Sequence, residues 1–417
     1  MRGMIVIALI AMVAIISGGI IATQIDGNDR ASNDNAGTVV TATTGTGMAA
    51  PTPTSSDTQA ETPADQSQPT PASGDQPSEP IETPTEAFQA IPGSEEQVEL
   101  LPAHPPVREV PINGIAAVEA YYSETYQFDN FTVAWRPGAF PPERAAEVAQ
   151  MARKGLDHVN QMLGTNDSGP IEILLGDQMY LKDDCLGCQG YAFSDFRQVF
   201  ILQDGSMAPD EFQALLTHEI GHVIAGSNIA LPHVATLFLA EGLSTWLMTP
   251  DLVAEGFIEP RQIAAWAWKV GKIPPILELR QAKFEGRTGA RHEYDPAASF
   301  TEFVITTYGI EAYKGIYAGD LPDDIVGKSY LELEQEWHNW LAQWADVTLP
   351  NGVNAESWWG TSDIIKQGFD RLYADETTVS QQQYALLATS RVYLNRGEID
   401  IALALVQESG LVLGTAN

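Results

Sequence analysis

An α+β fold, with a small mixed sheet ahead of a mostly helical second half, is predicted by three features of the sequence. Short apolar runs of strand type occur at Phe131 to Trp135, Pro170 to Leu175 and Gln198 to Leu202. A single long helical pattern lies between the first two of them, and from Phe212 onward the apolar residues recur at the 3 to 4 residue spacing of helices. Gly and Pro punctuate nearly every junction.

Composition divides the chain before any element is placed. The 417 residues carry 22 Lys and Arg against 55 Asp and Glu, a net charge of −33. A nucleic-acid face needs a basic stripe, so no nucleic-acid partner is expected. From Met4 to Ala22 no charged residue occurs, and Arg2 precedes the run. That length exceeds the roughly 7 to 15 residues of a signal-peptide core and approaches the roughly 20 that span hydrocarbon. Residues 1–23 are therefore expected to be a membrane anchor or signal segment. An uncleaved anchor gives single-pass association through residues 4–22 with the rest of the chain extracytoplasmic, while cleavage gives a secreted protein.

Residues 24–97 are mostly Thr, Ser, Pro, Ala, Gly, Asp and Glu with almost no large apolar side chain. They cannot bury enough surface to offset their ordering entropy, so a disordered stalk is expected. Globular composition begins near Val98. After the Phe131–Trp135 strand, Pro141 and Pro142 open a helix whose Ala145, Val148, Ala149, Ala152, Leu156, Val159 and Leu163 keep helical spacing until Gly164 stops it. Two cysteines, Cys185 and Cys188, fall in the loop between the second and third strands. A structural zinc site needs a second such pair, so a short-loop disulfide is the expectation in an oxidising compartment. Asp204-Gly205 then turns the chain into the next helix.

That helix contains His218-Glu219-Ile220-Gly221-His222. Two histidines four apart project from one face about one turn apart, so both imidazoles can reach one ion about 2 Å from each ring nitrogen. Glu219, roughly 100° further round, cannot join them as a ligand but stands beside the open position as a general base. Phe212, Leu216, Ile220, Val223 and Ile224 cover one broad arc with the three polar residues at its edge. The spacing reads as a zinc, Zn2+, site. Gly226 is expected to end this helix, and a second one from about Val234 to Met248 carries Glu241.

Further helices are expected from Gln262 to Val270, from Ala298 to Tyr308, and after a capping box at Ser329 and Glu332. In the last of these Leu333, Trp337, Trp340, Leu341 and Trp344 share a face. Gln383 to Asn395 and Glu398 to Gln407, split by Arg396-Gly397, form a helical hairpin like one tetratricopeptide-type repeat, which must pack on neighbours. This C-terminal region is taken as residues 347–417 and the preceding domain as residues 98–346.

The third ligand separates the classes of zinc peptidase. The metzincin pattern needs a Gly at Ala225 and a His at Asn228, and neither is present. His233 lies outside the expected helix, so Glu241 has the better claim. Here the residues resemble the gluzincin group, the peptidase MA-like families with a thermolysin-like plan, through His218-Glu219-x-x-His222 and Leu239-Ala-Glu-Gly-Leu-Ser-Thr-Trp246. The resemblance covers roughly Phe131 to Trp344. It implies a zincin-like metallopeptidase domain in which His218, His222 and Glu241 are the metal ligands and Glu219 is the base and proton shuttle. Thermolysin has an aspartate four residues after its ligand Glu, where this chain has Thr245.

Similar families also place a Tyr where Tyr294 stands, making it the first candidate for an oxyanion stabiliser, with His292 second. They lay an edge strand above the motif helix to pair with extended substrate, a role that Gln198 to Leu202 would fill by analogy. The expected function is zinc-dependent hydrolysis of peptide bonds in a peptide or protein substrate. Two rivals share the motif: a catalytically silent zincin-fold binding or scaffold protein at the cell surface, and an amide hydrolase acting on cell-wall peptides.

Overall fold

The three anticipated strands form, and two further ones complete the sheet. The computed structural model describes residues 98–101, 121–176, 189–203, 207–230, 235–282, 284, 293–374 and 380–411. Strands β1 (Glu124–Phe128), β2 (Phe131–Trp135), β3 (Ile171–Gly176), β4 (Gly190–Phe193) and β5 (Gln198–Leu202) lie in the order β1-β2-β3-β5-β4. The central β2, β3 and β5 are parallel, and β1 and β4 join antiparallel at the two edges. Burial follows position. Edge strand β1 alternates, while β5 is buried from Val199 through Leu202 on both faces, as a strand inside a sheet must be. Gln198 to Leu202 is thus an interior strand and not the edge expected of it. The edge is Gly190–Phe193.

Between β2 and β3 runs helix α1 (Pro142–Leu163), opened by Pro142 and closed at Gly164, whose left-handed φ of 63° lets Thr165 N–H reach back to the Asn160 carbonyl at 2.9 Å. All the apolar positions anticipated in it are buried. After β5 comes α2 (Pro209–Asn228), the helix of the two histidines. It runs past Gly226, because Ile229 N–H still bonds to the Ala225 carbonyl at 2.9 Å.

Helix α3 (Leu237–Ala254) carries Glu241 and continues beyond Met248 through an internal Pro250. Then follow α4 (Pro260–Lys269), α5 (Ile276–Leu279), α6 (Tyr294–Tyr308), α7 (Ile310–Tyr317), α8 (Pro322–Val326) and α9 (Tyr330–Leu341). The Ser329 capping box is present, with Glu332 N–H bonding to Ser329 Oγ and Ser329 N–H to the Glu332 carboxylate. Trp344 lies beyond the end of α9 yet still packs on the core. The chain ends in α10 (Ala355–Ala374), α11 (Gln381–Asn395) and α12 (Ile399–Glu408).

Two apolar cores result. The larger joins the inner sheet face to α1, α2, α3, α6, α7 and α9, and the second joins α4 to α10, α11 and α12. Helix α4 serves both, giving Ala264 and Ala265 to the first and Ile263, Trp266 and Ala267 to the second. Its polar groups fasten the expected junction near residue 346: Gln262 Nε2 donates to the Trp344 carbonyl and Trp266 Nε1 to the Val347 carbonyl, each at 2.9 Å. The C-terminal hairpin also reaches the front half of the chain. Val392 packs with Ala208, Ala214, Leu252 and Phe257, and Arg391 pairs with Glu211 of α2 at 3.4 Å.

Among the described residues no helix is long and apolar enough to cross a membrane. The segment Met4 to Ala22, the stalk at 24–97, Cys185, Cys188, His233 and His292 lie outside the described residues.

Trp266 is fully buried where α4 meets the second core. Trp266→Ala is expected to cost about 3 to 5 kcal/mol of unfolding free energy in a denaturant titration. A loss under about 1 kcal/mol would show that α4 does not join the two cores.

Candidate metal centre

The centre is built where α2 and α3 pack. His218 and His222 sit one turn apart on α2, and Glu241 lies in the second turn of α3. Their ligand atoms converge: the two imidazole Nε2 atoms are 3.1 Å apart, and Glu241 Oε2 is 3.1 Å from His218 Nε2 and 3.4 Å from that of His222. The rings are nearly perpendicular, at 77°. Four bonds of 2.0–2.1 Å in a tetrahedron put neighbouring ligand atoms about 3.3 Å apart. The triangle of donors therefore fits a divalent ion, and among the described residues these three form a group able to hold one.

Close backbone approaches set this geometry. A Cβ on Gly221 would lie 3.0 Å from Leu247 Cδ1 and 3.5 Å from the Ser244 backbone, so α2 and α3 touch at that point. Gly242, next to the ligand carboxylate, faces α6: a Cβ there would meet the Ala297 carbonyl oxygen at 2.6 Å and Thr301 Oγ1 at 2.8 Å. The third approach is that of edge strand β4. A Cβ on Gly190 would come within 2.9 Å of both Cγ and Cδ of Glu219, so glycine lets the strand lie on this carboxylate without displacing it. After β4, Ser194 Oγ donates to the His222 carbonyl at 3.0 Å and ties the strand to the metal helix.

The two carboxylates behave oppositely. Burial pushes Glu219 up to about 8, with the neighbouring His222 opposing and the charge of Glu241 adding to the shift. Burial also opposes ionisation of Glu241, but the His222 charge and hydrogen bonds from both imidazoles hold it well below the usual carboxylate range. His222 is raised, because the Glu241 carboxylate beside it outweighs the burial that disfavours its charge.

Tyr294 is brought to the centre, its ring 6.3 Å from that of His218. Its hydroxyl donates at 3.2 Å to the carbonyl of Phe284, a residue with left-handed φ of 50°. Burial, then Glu241 and Glu219, push this phenol well above its ordinary value, so it remains a proton donor. Tyr191 on β4 is a second phenol in the field of Glu219 and Glu241, raised first by burial. Nothing in the local sequence pattern singles it out. Thr245, one turn beyond Glu241, is fully buried, and its hydroxyl has no hydrogen-bond partner among the described residues.

Two outcomes follow from this geometry. Gly242→Ala must push α3 from α6, costing about 1 to 3 kcal/mol of stability and weakening metal binding, as thermal unfolding with and without metal will measure. Burial raises Glu219 to about 8, and His222 is raised by the Glu241 carboxylate against its burial, so both groups favour their protonated forms without metal. Uptake of a divalent ion is therefore expected to release protons, and affinity to climb with pH until about pH 8. Calorimetry in buffers of different ionisation enthalpy counts those protons, and a count of zero would contradict the charge arrangement. No family model matches the chain, and no curated protein matches it.

Proposed function

We propose that the chain is a gluzincin-type zinc metallopeptidase that hydrolyses peptide bonds in a peptide or protein substrate. The observation that carries this reading is the convergence of His218, His222 and Glu241 on one point, with a separate buried acid, Glu219, facing an edge strand. Two neutral imidazoles and one carboxylate would hold Zn2+ with one net positive charge and an open position. Zinc in that place supplies Lewis acidity to the attacking water and to the substrate carbonyl.

The chain's own residues divide the remaining work. Glu219, ionised in the field of the cation, takes the proton of the attacking water and returns it to the leaving amine. Tyr294 turns its hydroxyl from the Phe284 carbonyl to the oxygen on which negative charge develops. Strand β4, the last described strand on that side of the sheet, offers its outer backbone edge to an extended substrate, which gives affinity with little demand on sequence. Residues 4–22 hold the protein to the cell membrane and residues 24–97 tether the catalytic part outside it. Cleavage of the first segment would release a secreted enzyme.

Glu219→Gln is expected to retain zinc, read by metal analysis, and to lose about 10²- to 10⁴-fold in cleavage of a peptide library. Glu241→Ala is expected to lose the metal. A wild-type protein that holds zinc and cleaves no peptide would leave the binding or scaffold reading, and activity confined to cell-wall peptides would move the substrate class. Full zinc and activity in Glu241→Ala would remove the gluzincin assignment.

A further inference from the structure

Helix α3 starts without a side-chain cap. Its N-cap residue Thr236 makes no side-chain capping bond, and the buried Thr236 Oγ1 has no partner among the described residues. Glu241 sits only one turn further on, so an uncapped, fraying start would spread directly into the ligand. The backbone of that turn is fixed from a different side. Tyr313, on α7 and fully buried, donates its hydroxyl to the Leu239 carbonyl at 2.8 Å. A carbonyl can only accept, so the Tyr313 hydrogen is committed there and its oxygen remains an acceptor.

Thr301 Oγ1 of α6 lies 3.0 Å from that oxygen and 3.0 Å from the Ala297 carbonyl, where Gly242 also touches α6. Leu239 through Gly242 is thus gripped by a buried polar chain running from Thr301 to Tyr313 to Leu239. One turn further along α7, Tyr317 is buried and senses the charge of Glu241.

From this geometry we infer that Tyr313 and Thr301 are positioning residues for Glu241: they fix the first turns of α3 in place of a helix cap, and so preset the third ligand for the metal. The inference rests on the metal-centre reading above. It predicts that affinity for zinc, and not only stability, depends on two hydroxyls that touch no ligand side chain. Residues that orient metal ligands typically change affinity by 10- to 100-fold when altered. Because Tyr313 acts through the backbone, the low end applies.

The test titrates zinc into the full-length chain, in mild detergent, against a chromogenic chelator. Tyr313→Phe keeps the ring and is expected to weaken zinc binding about tenfold. Thr301→Val should shift affinity in the same direction, while Thr301→Ser, which retains the hydroxyl, should match wild type. Ser390→Ala, a buried hydroxyl of α11 bonded to the Leu387 carbonyl at 2.7 Å, serves as the comparison for general loss of stability and should leave affinity unchanged. Equal affinity in Tyr313→Phe and wild type overturns the positioning role and leaves the metal centre intact. An equal loss in Ser390→Ala also overturns it. If Tyr313→Phe does not fold, the Thr301→Val and Thr301→Ser pair decides. A wild-type chain that takes up no zinc overturns the metal reading itself.

Discussion

A carboxylate on one helix has to meet two imidazoles on another, and how closely those helices pack decides whether it can. Here the packing is set by positions where a side chain is missing. Gly221 brings the middle of α2 onto α3 at Ser244 and Leu247, and Gly242 brings α3 onto α6 at the Ala297 carbonyl. Both glycines adjoin in sequence residues that could hold a metal ion, so those residues and the ones that allow the approach are interleaved. Each glycine in a helix costs roughly 1 kcal/mol relative to alanine. The large apolar core around α2, α3 and α6 is what offsets that cost.

Burial then decides the charge state, with opposite results for two residues of the same type. Glu241 is touched by both imidazoles, and attraction to them exceeds its desolvation penalty. Among the described residues Glu219 has no hydrogen bond of that kind, so desolvation wins and raises the acid to about 8 in the metal-free chain. A divalent cation between the imidazoles and Glu241 alters that balance, since it replaces a mobile proton by a fixed charge of larger magnitude. An acid that is neutral without metal and ionised beside it is suited to the base role proposed for Glu219.

How much of this was legible in the sequence depended on the period of each signal. Helix α1 could be placed closely, because Ala145 through Leu163 repeat a clean one-sided pattern bounded by Pro141-Pro142 and Gly164. The buried arc of α2 was equally plain: Phe212, Leu216, Ile220, Val223 and Ile224 are all in the core. Strand β4 has no local signature, because three half-buried residues and one exposed one give neither alternation nor a long apolar run. Its absence from the reading left β5 standing as the edge, although the unbroken Val199 to Leu202 already indicated a strand covered on both faces. Two helices run past their expected ends, α2 beyond Gly226 to Asn228 and α3 beyond Met248 to Ala254. Of the centre itself, the spacing of His218 and His222 marks residues that, with Glu241, could hold a metal ion, but the approach of Gly190 to Glu219 is a contact between distant parts of the chain and has no local signature.

The two histidines also need α2 fixed along its axis, because a slide of one residue would carry both past Glu241. Each end of the helix is tied by a charged group from elsewhere. At the start, Glu211 accepts the Ala208 backbone N–H at 2.9 Å and pairs with Arg391 of the C-terminal hairpin. At the far end, Asn228 donates to Asp167 at 2.7 Å, and Arg197 donates to the same carboxylate through both terminal nitrogens. Burial disfavours the charge of Asp167, but these hydrogen bonds and the Arg197 charge outweigh it and keep the carboxyl below its ordinary value. The bonds at the far end are charge-assisted and partly screened from water, the setting in which such contacts are worth more than exposed pairs. Helix α2 is therefore located by its two ends as well as by its buried face. The C-terminal hairpin, which contributes no ligand, enters the centre's geometry through Arg391.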